Sequence, residues 1–283
     1  MIRKATPADI GPMAAFLDAH VETSMFLLGN LEAHGTEDAT HPHGTAFFLR
    51  ETGDGITGVF GCTNGGFLMC QLPGLGATEA QTYAHLLKGY TLQGMTGDAD
   101  QVQVILDALP VPEEAWRLNR VEPLYRMDIG GLASDRTVRP PAEADVPRLT
   151  EWFAQYMTET GTAPPGELQE AALRRAEMAV GAPRIRILKR DGNPVAMAAI
   201  NAKAGQAVQV GGVFVPTALR GQGLGGQVVQ ALLAEMAGQG ATTAILFAAS
   251  PRAAKTYERI GFARVGGYRI AMLDKAILLG DPR

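Results

Sequence analysis

Cysteine is scarce in this sequence: Cys62 and Cys70 are the only two in 283 residues. Two thiols cannot build a disulfide framework, and neither sits in the Cys/His spacing of a zinc site, so both read as reduced core residues. An excess of either charge is also missing. Lys and Arg number 25 against 29 Asp and Glu, for a net charge of -4, and no Lys/Arg-rich run interrupts the chain. A phosphate backbone finds nothing to grip on such a surface, so nucleic acid is excluded as the expected partner. No apolar stretch approaches the length needed to span a bilayer, and the opening MIRKATPADI has no apolar region before a small-residue cleavage site. The expectation is no membrane partner and a cytoplasmic location.

What is present suits a folded globular chain: 46% apolar and 19% charged residues. The length allows two domains, and the chain begins twice. Arg3 to Ile10 (RKATPADI) corresponds to Arg139 to Val146 (RPPAEADV). In both, an Arg closes a short strand and an Asp precedes an amphipathic helix, one carrying Met13, Phe16 and Leu17, the other Leu149, Trp152 and Phe153. A second correspondence follows. Residues 46–50 and 56–62 flank Gly53-Asp54-Gly55, and residues 184–189 and 195–200 flank Asp191-Gly192-Asn193, both hairpin patterns. Gly130 to Asp135 is the natural linker, giving domains 1–131 and 136–283.

The second half reads as strand 136–139, helices 143–157 and 166–180, strands 184–189, 194–201 and 207–215, and helix 223–238. Strand 242–248, helix 251–260 and a strand pair within 262–274 complete it. The first half reads similarly, with strands near 46–50, 56–62 and 66–72, helices near 78–88 and 98–108, and late strands within 119–130.

The chemistry concentrates in Val213 to Gly226 (VFVPTALRGQGLGG), a strand running through a glycine-rich turn into the helix of Val228, Val229, Leu232, Leu233 and Met236. The first amides of such a helix have no intrahelical partner and the dipole adds positive character, so the junction can hold a phosphate. A Walker loop fails for want of Gly-Lys-Ser/Thr. Gly221, Gly223 and Gly226 do satisfy a dinucleotide fingerprint. Yet the following strand, Thr242 to Ala249, lacks the acid that would hold a ribose, which makes NAD the weaker reading.

Arg220-x-x-Gly223-x-Gly225 matches the Arg/Gln-x-x-Gly-x-Gly/Ala signature of the GNAT acetyltransferases position by position. Ser250 to Phe262 (SPRAAKTYERIGF) resembles that family's later signature, with Ser250 where Asn is usual. The resemblance covers Thr137 to Asp274 and extends to tandem members whose first half is a degenerate copy. It implies an α+β fold of two GNAT-like domains, each a mixed, mostly antiparallel twisted sheet flanked by helices. It also implies acetyl-CoA as co-substrate and no metal, with direct acetyl transfer to a primary amine of a small-molecule acceptor. On that resemblance the amides from Gly221 through Gln222, Gly223, Leu224 and Gly225 to Gly226, together with Arg220, hold the CoA pyrophosphate. Phe214 and Val215 pair with the pantetheine arm, Ser250 caps the next helix beside the cofactor, and Tyr257 protonates the leaving thiolate. Tyr257 can equally be read as a residue that packs its helix onto the sheet.

A general base is missing from Val208-Gln209-Val210-Gly211-Gly212. Glu159, Glu167 and Glu170 are substitutes, each also readable as a solvated charge, and so is a water chain ending at a carbonyl. The first half offers Gln71-Leu72-Pro73-Gly74-Leu75-Gly76 where its loop would fall, and reads as structural or acceptor-shaping. It holds all five histidines, His20, His34, His41, His43 and His85, and His41-Pro42-His43 reads as a polar loop rather than a metal pair. Trp116 and Trp152 read as core or interface residues. Two rival functions stay open, a non-enzymatic acyl-CoA-binding module and a nicotinamide-dependent oxidoreductase, and so does homodimerisation.

Overall fold

The computed structural model describes residues 1–163 and 166–282. The first half of the chain runs β1 (Ile2–Lys4), α1 (Ile10–Asp18), α2 (Val21–His34), β2 (Thr45–Thr52), β3 (Gly55–Thr63), β4 (Phe67–Gln71), α3 (Ala77–Leu86), β5 (Thr91–Asp98), α4 (Ala99–Ala108) and β6 (Trp116–Asp128). The second half repeats the order: β7 (Val138–Arg139), α5 (Val146–Thr160), α6 (Leu168–Ala179), β8 (Ile185–Arg190), β9 (Asn193–Ala204), β10 (Ala207–Phe214), α7 (Leu224–Gly238), β11 (Thr243–Phe247), α8 (Pro251–Arg259) and β12 (Ala263–Leu278). Both halves share one element order, the mark of a duplication. Each copy ends in one long strand where a pair was expected within 262–274. No helix among the described residues is long and apolar enough to cross a membrane.

The two beginnings share one device. Arg3 donates to both carboxylate oxygens of Asp9, at 2.8 and 2.7 Å, and Asp9 accepts the Thr6 amide. Arg139 grips Asp145 the same way, at 2.6 and 2.8 Å, and Asp145 accepts the Ala142 amide. The guanidinium hydrogen bonds hold both carboxyls below the usual carboxylate range. The repeated Arg and Asp are therefore structural: they join a strand end to the start of a helix.

Compactness divides the chain differently from the repeat. One unit comprises Met1–Pro123 with Gly266–Arg283, the other Leu124–Val265, so each copy's last strand completes the opposite unit. In the first unit the sheet order is β1-β2-β3-β4-β5-β12, with β12 antiparallel to β5 from Tyr268↔Asp98 to Met272↔Gly94. In the second it is β6-β11-β10-β9-β8-β7, with β6 antiparallel to β11 from Leu124↔Phe247 to Asp128↔Thr243. Without that partner, β5 and β11 would each expose a row of unpaired backbone groups. The first run of elements ends at Asp128 and the second begins at Val138, whereas the compact units change over at 123/124 and 265/266.

In the second unit one sheet face packs Val208 and Val210 against Val228 and Leu232 of α7 and against Phe262, and the other packs Met197 and Phe214 against Trp152 and Phe153 of α5. Strict alternation would put Phe214 on the same face as Val208 and Val210. A bulge between Gly211 and Phe214 adds one residue relative to β9, where Gly211 faces Ala199 and Phe214 faces Met197, and this turns Phe214 to the other face. The Asn201 side chain occupies the space beside Gly211, where a Cβ would lie 1.9 Å from its Nδ2, so a larger residue there would have to displace it. The β8–β9 hairpin uses Asp191 and Gly192 with φ of 53° and 78°, the turn its sequence predicts. In the first unit Cys62 and Cys70 are buried, and burial pushes both thiols up, Cys62 to about 12.

Candidate functional site

The site of the second unit arises where two parallel strands part. β10 and β11 pair only from Ala207↔Thr243 to Val210↔Leu246, and beyond Val210 the bulged end of β10 has no partner on β11. A cavity of about 730 Å³ opens there, lined by Val210 to Val215, the glycine-rich turn, the first turns of α7 and α8, and Tyr156, Glu159 and Thr160 of α5.

The turn is shaped for small residues. Gly221 and Gly223 have φ of 86° and 74°, a region costly for any residue with a Cβ, and Gly223 is the N-cap of α7 without a side-chain cap. A Cβ on Gly221 or Gly223 would meet no protein atom closer than 3.9 or 3.7 Å, so the turn has open space beside both residues. Gly226 serves packing instead: its Cβ would come within 3.1 Å of Ile260 Cγ2, which keeps α7 and α8 in close contact. Ser250 caps α8 by accepting the Ala253 amide at 3.2 Å, ahead of Pro251 at the helix start. Two helix N-termini therefore meet one cavity.

Of the residues singled out from sequence, Phe214, Val215, Arg220, Gly221, Gly223, Leu224, Gly225, Gly226, Ser250 and Tyr257 all line this cavity. Gln222 does not, since its side-chain oxygen accepts from Arg190 at 2.7 Å. Arg220 works as a clasp. Its Nε donates to Val215 O at 2.9 Å, one terminal nitrogen donates to both oxygens of Glu159 at 2.7 and 2.9 Å, and its guanidinium sits 5.7 Å from the centre of the Phe214 ring. Glu159 is thereby engaged, and Glu167 and Glu170 pair with Arg174 away from the cavity. Tyr257 is 8% exposed, stands edge-on to Phe262 at 6.1 Å and borders the cavity, so it packs the helix and faces the site at once.

Sequence reasoning missed the cations of α8. Arg252, Lys255 and Arg259 line the cavity together with Arg220. Their spacing of three and four residues on a helix is the signal that could have found them. Trp152 is core, beside Phe214 at 5.9 Å. His34, the last residue of α2, bonds Asp38 at 3.1 Å and stacks at 4.1 Å on His41 of the loop that follows. Among the described residues no group of three or more His, Cys, Asp or Glu is placed to hold a metal ion.

The matching place in the first unit is tied differently. The Leu72 amide donates to Gln101 Oε1 at 2.5 Å, and Arg50 ties down the carbonyls of Pro73 and Thr57, both at 2.7 Å. Where the seventh residue of α8 is Tyr257, the seventh of α4 is the fully buried Ile105. The turn's own glycines, Gly74 and Gly76, still have open space beside them, with no atom within 4 Å of a Cβ built on either.

The acetyltransferase (GNAT) family model matches residues 146–262, which contain every part of the open cavity. The chain carries a GNAT acetyltransferase domain. Similar solved structures extend the likeness to the whole chain. A Drosophila protein has a TM-score of 0.60 at 11% identity, covering 96% of this chain and 98% of that one. A GCN5-related N-acetyltransferase from Kribbella flavida has 0.53 at 18%, covering 90% and 95%. A tandem GNAT protein from the clavulanic acid biosynthesis pathway has 0.50 at 11%, covering 98% of each chain. At these identities the likeness is one of fold, and the fold is α+β with two GNAT-like copies. No curated protein matches the sequence. The mixed sheet of the GNAT unit, with one parallel pair, also lacks the parallel architecture of a dinucleotide-binding domain.

Proposed function

We propose that this chain is an N-acetyltransferase that uses acetyl-CoA to acylate a primary amine of a small molecule. Residues 136–283 form its catalytic copy, and 1–131 is a copy that has lost its ligand site. The observation that carries the reading is that a strand end without a partner on β11, two helix N-termini and four cations meet at one cavity. The donor set suits a ligand bearing several phosphates and an amide-containing arm. The amides from Gly221 to Gly226 would take the diphosphate, and Arg252, Lys255 and Arg259 would add charge-assisted bonds to phosphate oxygens. The end of β10, through Phe214 and Val215, would pair with the arm like an added strand. Bound there, CoA supplies an acyl group activated as a thioester.

The protein's own part is positional and protonic. Amides at the bulge offer donors where negative charge develops on the carbonyl oxygen, and the Tyr257 hydroxyl gives its proton to the departing sulfur. The bonds that tie the Leu72 amide and the Pro73 carbonyl in the first copy support a structural or acceptor-shaping role for that half. A chain of this composition would work in the cytoplasm. Thermal-shift titration tests the cofactor assignment: acetyl-CoA should raise the melting temperature and NAD should not, since only a ligand of the native state stabilises it. Release of CoA in the presence of amines then separates an enzyme from a module that only binds acyl-CoA.

A further inference from the structure

We propose that Lys255 and Arg259 of α8 read the 3′-phosphate of the donor, so that free acyl-CoA is used in preference to a thioester that lacks this phosphate, such as an acyl-phosphopantetheine arm. This inference rests on the acetyltransferase reading of the cavity. The charged lining is four cations, Arg220, Arg252, Lys255 and Arg259, against one carboxylate, Glu159. Arg220 already pairs with Glu159. The one carboxylate on α8 itself, Glu258, accepts from the Tyr125 hydroxyl at 2.8 Å. Among the described residues, Arg252, Lys255 and Arg259 enter no ion pair.

The helix by itself gives no reason for these charges. Like charges three and four residues apart repel, and Arg252 stands in the first turn, where the helix dipole favours an anion. The matching helix of the first copy carries none of them. Counted from the first helical residue, the positions of Arg252, Lys255 and Arg259 hold Asp100, Gln103 and Asp107 in α4, where Gln103 donates to Asp107 at 2.6 Å. The three cations thus belong to the open cavity and not to the fold. Arg252 leads the row: one of its terminal nitrogens lies 3.9 Å from where a Cβ on Gly221 would stand, beside the glycine-rich turn. Lys255 and Arg259 follow about 4.5 and 10.5 Å further along the helix axis. The turn and Arg252 answer the charge of a diphosphate, and the two cations beyond them answer a further anion. The phosphomonoester on the CoA ribose, with a charge of about -1.5 to -2 at pH 7, is that anion.

Isothermal titration of the full-length protein with CoA and with 3′-dephospho-CoA tests this without turnover. The wild type should bind CoA about ten-fold more tightly, a modest factor because both side chains are exposed and salt screens them. In Lys255→Gln/Arg259→Gln the two ligands should bind alike, with CoA falling to the level of dephospho-CoA. As donors to any accepted amine, acetyl-CoA should exceed acetyl-phosphopantetheine in kcat/KM by at least the same factor. Equal affinity of the wild type for CoA and dephospho-CoA overturns the inference, whether or not the variant folds. So does a preference that survives in the double variant, since other groups would then hold the phosphate. Measurable but equal binding sinks this inference alone, whereas no binding of either ligand and no turnover of acetyl-CoA with any amine sinks the reading of the site itself.

Discussion

Replacing Arg220 with alanine removes three contacts at once. The charged hydrogen bond to Val215 O contributes about 1.5–3 kcal/mol in a site of this kind. The pair with Glu159 is partly exposed, at 28% and 46%, and adds about 0.2–1 kcal/mol. The guanidinium over Phe214 adds about 0.5–1 kcal/mol. Allowing for overlap among them, Arg220→Ala should cost about 2–4 kcal/mol. For a unit of this size that lowers the melting temperature by roughly 5–12 °C. Because the clasp joins the end of α5 to the end of β10 and the glycine-rich turn, the KM for acetyl-CoA should also rise by about ten-fold, equivalent to about 1.4 kcal/mol. Glu159→Gln, which loses only the ion pair, should cost about 0.2–1 kcal/mol and leave kcat in place. In the Arg220→Ala background it should cost nothing further, because the pair it would break is already gone. Differential scanning calorimetry and steady-state kinetics read both quantities. A melting temperature within 1 °C of the wild type together with an unchanged KM for Arg220→Ala refutes the clasp, and a collapse of kcat in Glu159→Gln would make Glu159 the base instead.

Two further outcomes follow from the same geometry. Tyr257→Phe keeps the buried ring and its edge contact with Phe262, so stability and KM should hold while kcat falls by about 10²–10⁴ if the hydroxyl is the general acid; a kcat within about threefold of the wild type would leave only the packing role. The carboxyls of Asp9 and Asp145 are held low by hydrogen bonds from Arg3 and Arg139, so their stabilising effect is fully present above the unfolded value of about 4 and is lost as pH falls below it. Asp9→Asn and Asp145→Asn should therefore be less stable at neutral pH and show a flatter loss of stability between about pH 5 and pH 2. Acid-unfolding curves as steep as those of the wild type would show that other groups set the acid limit.

Much of the second unit was legible in the sequence, because its signals are local. The Asp191-Gly192 hairpin, the glycines that only a left-handed turn requires, and the Ser250-Pro251 helix start each follow from the conformational limits of one or two residues. The repeat was legible too, since Arg3 with Asp9 and Arg139 with Asp145 perform the same joining task six residues apart. Tertiary structure decided the rest. That each copy's final strand completes the opposite unit is invisible to local pattern, because β6 and β12 carry nothing that says which open edge they will meet. That Arg220 spends its side chain on Val215 O and Glu159, 61 residues away, and that Gln222 turns away toward Arg190, depend on which surfaces folding brings together. The sequence marked the glycine-rich turn; only packing could show that in the first copy Gln101 takes the Leu72 amide, Arg50 takes the Pro73 carbonyl, and Ile105 stands at the helix position that Tyr257 occupies in the second, since a paired group and an unpaired one look alike until their neighbours are in place.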